Sequence, residues 1–304
     1  MRRTSPLSAP DSPADSSPHD LPAPGGLCAI HQPNFLPRLN TLAKLFAADY
    51  WIVLDDVQFA RRDYHHRARL PSVSHSGRHQ WLSIPTHLPH GQSTAIRDAT
   101  LVDPERSRRR VMHMLAQRYG RCPDWQTFRH QLDSALVEFR RTDKIADVAE
   151  TSTRMLLNLM GWRGRILYSS LLPARSERSQ RLADLAAVTR ARGYLCGTGG
   201  GRYLEAGPFA ARGIAVVPFR VPTKGLWEDG QAVSAVHSLM NYGIRAVSEE
   251  LCTVAHQHRT SVQAAQLPRV PVPAGSEVAL RCSLEGNEAA PVPESPAPSI
   301  PSPT

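Results

Sequence analysis

No run of eighteen apolar residues occurs in the sequence, so a membrane-spanning helix is not expected. Cysteine is scarce: Cys28, Cys122, Cys196, Cys252 and Cys282 are odd in number, scattered, and form no CxxC pair. That usage argues against a disulfide framework and against a cysteine-based zinc site, and it points to reduced thiols in the cytoplasm. The opening stretch MRRTSPLSAPDSPADSSPHD has two arginines but no apolar core, so it does not read as a secretory signal. Three catalytic signatures are also missing. There is no Walker A loop, no GxSxG elbow and no dinucleotide fingerprint, which removes the commonest nucleotide-hydrolysis and serine-hydrolase readings. No internal repeat is found.

What is present is proline at both ends and a globular middle. Residues 1–26 hold six prolines and residues 266–304 hold nine, together 15 of 26. Such segments bury too little apolar surface to order a chain. The expectation is a disordered leader over 1–26, a single folded domain over 27–262, and a disordered Pro-rich tail over 263–304. Hydrophobic residues are 41% of the chain, enough for a sizeable core. The formal net charge is +9 and arginine-driven. A surface of that sign suits an anionic small molecule, whether nucleotide-linked, phosphorylated or carrier-bound; nucleic acid is the weaker alternative.

In the middle, short apolar runs alternate with helical patterns. LCAIHQ (27–32), WIVLDD (51–56), QWLSIP (80–85), RILYSS (165–170), GYLCG (193–197) and IAVVPF (214–219) read as strands. Between the first two, Leu39, Leu42, Ala43 and Phe46 share one helical face. A helical insertion is expected around 104–160, opening at Asp103-Pro104. Another helix is expected through RLADLAAVTRAR. Strand–helix–strand order predicts an α/β fold: a mostly parallel, Rossmann-like sheet flanked by helices. In such sheets ligands bind beyond the carboxyl ends of the strands. Those ends carry His31-Gln32, Asp55-Asp56, Ser169-Ser170, the GTGGG turn at 197–201 and Pro218–Arg220.

Four stretches carry candidate chemistry. In AIHQPNFLP, His31 is a candidate general base, with Gln32 and Asn34 beside it and two prolines stiffening the loop. In LDDVQFARRDYHHRARL, Asp55 and Asp56 could orient a substrate or hold Mg2+. Gln58, Arg67 and Arg69 follow as candidate binders of an anion. The same acids and arginines also fit an internal salt-bridge network. No other metal site is expected, since the His65-His66 pair lacks carboxylates at ligand spacing. In CGTGGGRYLEAG, Gly197, Gly199 and Gly200 could form an anion-binding nest, with Arg202 and Tyr203 at its edge; a plain tight turn is the alternative. The basic helix ERSRRRVMHMLAQRYGR reads as a solvated face.

Taken in order, AIHQPNFLP, LDDVQFARRDYHHRARL, QWLSIP, YLCGTGGGRYL and GIAVVPF resemble the WbqC-like proteins over about residues 28–243. The resemblance implies a bacterial biosynthetic enzyme in O-antigen, other glycan or natural-product clusters. It suggests an acyl- or aminoacyl-transferase acting on an amino sugar. The matching positions are His31, Gln32, Pro33, Leu36, Pro37, Asp55, Asp56, Gln58, Phe59, Arg67, Arg69, Trp81, Pro85, Gly197 and Tyr203. Several positions depart from the pattern: Arg38, Asn40 and Thr41 stand where the family favours Trp and, shortly after, Gly-Tyr; Tyr64, His65, His66, Arg67, Ala68 and Arg69 stand where it has Trp-Gln-Asn-Arg-Asn-Arg, so that His66 and Ala68 replace asparagines; and His237 replaces an acid. They imply a divergent substrate or reduced activity. Two other functions fit the chain. A nucleotidyltransferase would share the opening strand and its histidine, but the second histidine of an HxGH motif is replaced by LPRLN. A non-catalytic binding protein for an anionic precursor would need only the arginines.

Overall fold

The computed structural model describes residues 26–72, 79–201 and 203–266. The expected leader and tail lie outside the described residues, apart from Gly26 and residues 263–266. Five strands form the central sheet: β1 (Leu27–His31), β2 (Tyr50–Val53), β7 (Arg165–Tyr168), β8 (Gly193–Cys196) and β9 (Ala215–Pro218). Their order is β7-β2-β1-β8-β9, and every pairing is parallel. The chain thus leaves β1 first toward one edge and later returns to build the other. The crevice where the order reverses lies between β1 and β8.

The three inner strands, β2, β1 and β8, are buried on both faces, as a parallel sheet covered by helices requires, and the edge strands β7 and β9 are half-buried. Side chains alternate between two cores. Cys28, Ile30, Tyr50, Ile52, Tyr194 and Cys196 face a smaller core. That core includes Ala183, Leu185 and Ala186 of α6 (Arg178–Val188), and Phe209 of α7 (Gly207–Ala210). Ala29, Trp51, Val53 and Leu195 face the larger core. There they meet α1 (Leu39–Phe46), α8 (Ala235–Tyr242) and α9 (Ile244–Gln266).

The helical insertion supplies α2 (Pro104–Tyr119), α3 (Trp125–Leu136), α4 (Glu138–Arg141) and α5 (Ile145–Leu159). The start of α2 is legible in the sequence. Pro104 occupies its first turn, and the Asp103 carboxylate accepts from the Arg106 N–H at 2.9 Å. Asp103→Ala is expected to lower stability by about 1 kcal/mol, the usual worth of such a cap, measurable by urea denaturation. Val111 and Leu115 of this helix are fully buried while Arg109 and Arg110 are exposed, as its pattern implied.

One expected strand belongs elsewhere. QWLSIP lies mostly in β4 (His79–Ser83), which pairs antiparallel with β3 (Arg67–Pro71) as a separate two-stranded ribbon. A second small ribbon joins β5 (Thr86–His87) to β6 (Thr100–Leu101). The first ribbon reaches the main body through the Ser234 N–H, which donates to the Arg69 carbonyl at 2.8 Å.

Candidate functional site

The HQPNFLP turn leaves β1 at the crevice, and residues 33–37 are buried. Buried loop backbone needs partners, and side chains from two directions provide them. From α5, Ser152 Oγ accepts from the Leu36 N–H at 3.0 Å, and Thr153 Oγ1 donates to the Asn34 carbonyl at 2.7 Å. From the other side, the Tyr64 carbonyl accepts from the Phe35 N–H at 2.9 Å. His65 Nδ1 donates to the Pro33 carbonyl at 3.2 Å. Leu36 is held at φ +44°, a region costly for a non-glycine residue. The stiff loop therefore spends local strain to hold His31 and Asn34 in fixed places.

His31 emerges at the end of β1 with both ring nitrogens engaged. Nδ1 is 3.2 Å from Lys44 Nζ, and Nε2 is 3.2 Å from the side-chain amide of Asn34. Lys44 lies on α1, is 6% exposed, and also donates to the Ile30 carbonyl at 3.2 Å. Burial pulls the Lys44 amine down from 10.5 to about 8. Burial first, then the charges of Lys44 and Arg38, push His31 well below its ordinary value, so its imidazole is neutral at pH 7. A neutral imidazole has one donor and one acceptor. With Lys44 donating to Nδ1, Nε2 carries the hydrogen. The oxygen and nitrogen of an amide share one outline. Turning Asn34 Oδ1 toward Nε2 pairs both ends of the ring and gives that buried, unpartnered oxygen a donor.

His31 and Lys44 belong to the wall of a cavity of about 610 Å³ at the β1–β8 switch point. His31, Gln32, Asn40 and Lys44 line it from β1 and α1; Gly197, Thr198, Gly199 and Gly200 line it from the turn after β8; Arg38 and Arg220 complete a cationic wall. Among the described residues no Asp or Glu lines it. Among the same residues, two buried polar atoms of the wall, Arg38 Nε and Asn40 Oδ1, have no hydrogen-bond partner. Arg38 Nη1 donates to the Gln231 carbonyl at 3.0 Å, and its guanidinium lies over the Tyr64 ring at 4.4 Å. In the glycine turn, the Gly200 and Gly201 amides bend back onto the Gly197 carbonyl at 3.0 and 3.2 Å. Those two amides are thereby occupied within the turn.

The structure does not bring the other sequence candidates to this cavity. Asp55 and Asp56 lie at the ends of β2 and β7. Asp55 accepts from the Ser170 N–H at 3.1 Å and from the Ser170 hydroxyl at 2.7 Å. The Ser169 hydroxyl is 2.6 Å from Asp56 Oδ1, and Arg181 pairs with the other Asp56 oxygen. Burial raises Asp56, but the bonds from Ser169 and Arg181 outweigh it and hold the carboxyl below its ordinary value. A magnesium ion would have to displace these donors, so the pair does not fit one. Among the described residues no group of three or more His, Cys, Asp or Glu side chains is placed for a metal ion.

Arg67 and Arg69 cover the Trp81 ring of the β3–β4 ribbon at 4.0 and 4.8 Å. Arg67 Nε also donates to the Asp63 carbonyl at 3.0 Å. Gln58 Nε2 donates to the Gln92 carbonyl at 2.6 Å. Tyr203 is exposed beneath Arg178, and Arg202 lies outside the described residues. Of the departing positions, Arg38, Asn40 and Thr41 line the cavity. His66 packs against Phe59, Ala68 is buried in the ribbon, and His237 contacts Asn241 on α8.

A family model describing WbqC-like proteins matches residues 32–249, from the turn after β1 into α9. The chain belongs to the WbqC-like protein family. The chain is also similar to the uncharacterized protein Rv1507c of Mycobacterium tuberculosis, 25% identical over 227 residues, covering 72% of this chain and 94% of that one. No solved structure matches the chain. The family match takes in Gln32, Arg38, Asn40, Lys44, the glycine turn and Arg220, so the whole cavity wall except His31 and Ile30 lies within it.

Sequence reasoning missed Lys44, although a signal was present. The chain has 36 Lys and Arg residues, and only Lys44, Lys144 and Lys224 are lysines. One of those three falls in the apolar stretch LNTLAKLF, where a charged residue on a buried helix calls for a reason.

Proposed function

We propose that this WbqC-like chain is a transferase that moves an acyl or aminoacyl group onto the amine of an anionic substrate, an amino sugar or related intermediate of glycan or natural-product biosynthesis. The observation that carries this reading is the switch-point cavity, walled by Arg38, Lys44 and Arg220 with no carboxylate among its lining residues. Guanidinium forks match phosphate and carboxylate geometry. The unpartnered Arg38 Nε and Asn40 Oδ1 add a donor and an acceptor for a polar ligand. At the reacting end, His31 and Lys44 are both groups whose neutral form is reachable near pH 7–8, as deprotonation of an amine nucleophile requires. In this reading Asp55 and Asp56 tie β2 to β7 and α6, and Arg67 and Arg69 brace the ribbon.

A thermal-shift screen of the full chain against sugar nucleotides, nucleotides, acyl-CoAs and aminoacyl-adenylate analogues tests it. A ligand at one hundred times its dissociation constant stabilises the native state by about 2.7 kcal/mol. The expected result is an upward shift with a sugar nucleotide or sugar phosphate, lost in both Arg38→Ala and Arg220→Ala and retained in Arg67→Ala. A shift lost in Arg67→Ala but kept in the other two would move the anion site to the ribbon and overturn the reading. A shift confined to ATP would favour nucleotidyl transfer.

A further inference from the structure

Resting on that reading, we propose that Lys44 is the group that accepts the proton of the attacking amine, and that His31 and Asn34 are its positioning residues.

The argument is a count of hydrogen-bond positions. His31 has no free nitrogen: Lys44 occupies Nδ1 and Asn34 occupies Nε2. A neutral lysine amine has two hydrogens and one lone pair. The Ile30 carbonyl and His31 Nδ1 take the two hydrogens. The lone pair is then the unengaged position on a nitrogen that belongs to the cavity wall. With its amide turned so that Oδ1 accepts from Nε2, Asn34, buried and fixed by its loop, holds the imidazole in the Nε2–H tautomer, which keeps Nδ1 an acceptor toward Lys44. The triad Asn34–His31–Lys44 therefore aims a base, where the sequence suggested that His31 itself was the base.

The surroundings make the neutral amine accessible. The titratable groups facing Lys44 are His31 and Cys28 on β1 and Cys196 on β8. Burial pushes both thiols up, so both are uncharged at neutral pH. Among the described residues no carboxylate forms an ion pair with Lys44. Composition points the same way. The chain uses arginine for cation after cation, yet has lysine here, and arginine cannot lose its proton in a protein.

The step balances as follows. The substrate amine forms a bond to the carbonyl carbon of an activated donor, a thioester or an acyl adenylate. Its proton passes to the Lys44 lone pair. The bond from that carbon to the leaving group breaks, and the Lys44 ammonium returns the proton to the departing thiolate or, through water, to solvent when the leaving group is a phosphate. While charged, the ammonium keeps its bonds to Ile30 and His31 and has one hydrogen toward the substrate.

Competitive acetylation of the full chain with acetic anhydride tests this, because only three lysines need to be followed by peptide mapping. Pyridoxal 5′-phosphate with borohydride reduction is the second probe, since it carries both an aldehyde and a phosphate. Lys44 is expected to react with a midpoint near pH 8 and to dominate pyridoxal phosphate labelling at least ten-fold over Lys144 and Lys224. His31→Ala should move the midpoint, which a merely structural lysine would not show. A Lys44 that reacts with neither reagent at pH 9, while Lys144 and Lys224 do, overturns the proposal. If Lys44 reacts as described but Arg38→Ala and Arg220→Ala leave phosphate-probe labelling unchanged, the Lys44 assignment stands and the anion-cavity reading falls.

Discussion

Between pH 8 and pH 10.5, the wild-type chain is expected to gain about 3 kcal/mol of stability relative to Lys44→Met. In the unfolded chain the amine keeps its ordinary value of 10.5, and in the fold burial brings it to about 8. Between those values the unfolded state binds more protons, so stability rises with pH. Below pH 8 both states hold the proton and the cost of the buried ammonium is fully present. Above 10.5 both have lost it and the cost is gone. Titrating groups away from Lys44 are common to the two proteins and cancel in the difference; His31, Cys28 and Cys196, which feel its charge, do not cancel fully. Methionine matches the lysine stem and brings no charge, so at neutral pH it removes a buried cation without opening a large cavity. The check is a series of urea denaturation curves for both proteins across this range. A difference that stays flat with pH would mean that Lys44 is not held in a desolvated site.

Asp55→Ala is expected to lower stability by about 1–3 kcal/mol, because it removes the acceptor of two half-buried donors. The Ser170 N–H and hydroxyl both end on this carboxylate, which is 7% exposed. The Asp55 N–H in turn meets Ser169 Oγ at 3.3 Å, so the residue fastens β2 to the turn after β7 at two levels. The ligand-induced thermal shift should survive the substitution, measured from the lower starting midpoint. An unchanged melting temperature with loss of the ligand shift would instead return Asp55 to the catalytic site. The two experiments together separate a residue that holds the sheet ends from one that faces substrate.

Most elements were legible because their signals are local. Short continuous apolar runs mark β1, β2, β7, β8 and β9, and the Asp103-Pro104 start marks α2. The ribbon was half read. QWLSI alternates as a strand should, but its partner RARLP carries arginines that bind through their stacking on Trp81, and such a pairing is visible only when both strands are placed. His65 read only as half of a His-His pair without metal-ligand spacing; it is fully buried and pins the Pro33 carbonyl.

By itself, the sequence determined the α/β class, the parallel sheet and the family. Each follows from patterns within a few neighbouring residues, or from motifs read in order along the chain. Only the tertiary structure decided which rim residues share a site. His31 and Asp55 end neighbouring strands, and the natural guess joins them. The sheet, however, reverses its order on the other side of β1, where β8 pairs with Leu27 and Cys28. The crevice therefore opens toward Gly197 and Arg220, and Asp55 and Asp56 face Ser169, Ser170 and Arg181. Which strand flanks β1 is a long-range pairing that no local pattern encodes. That pairing places Lys44 on the cavity wall.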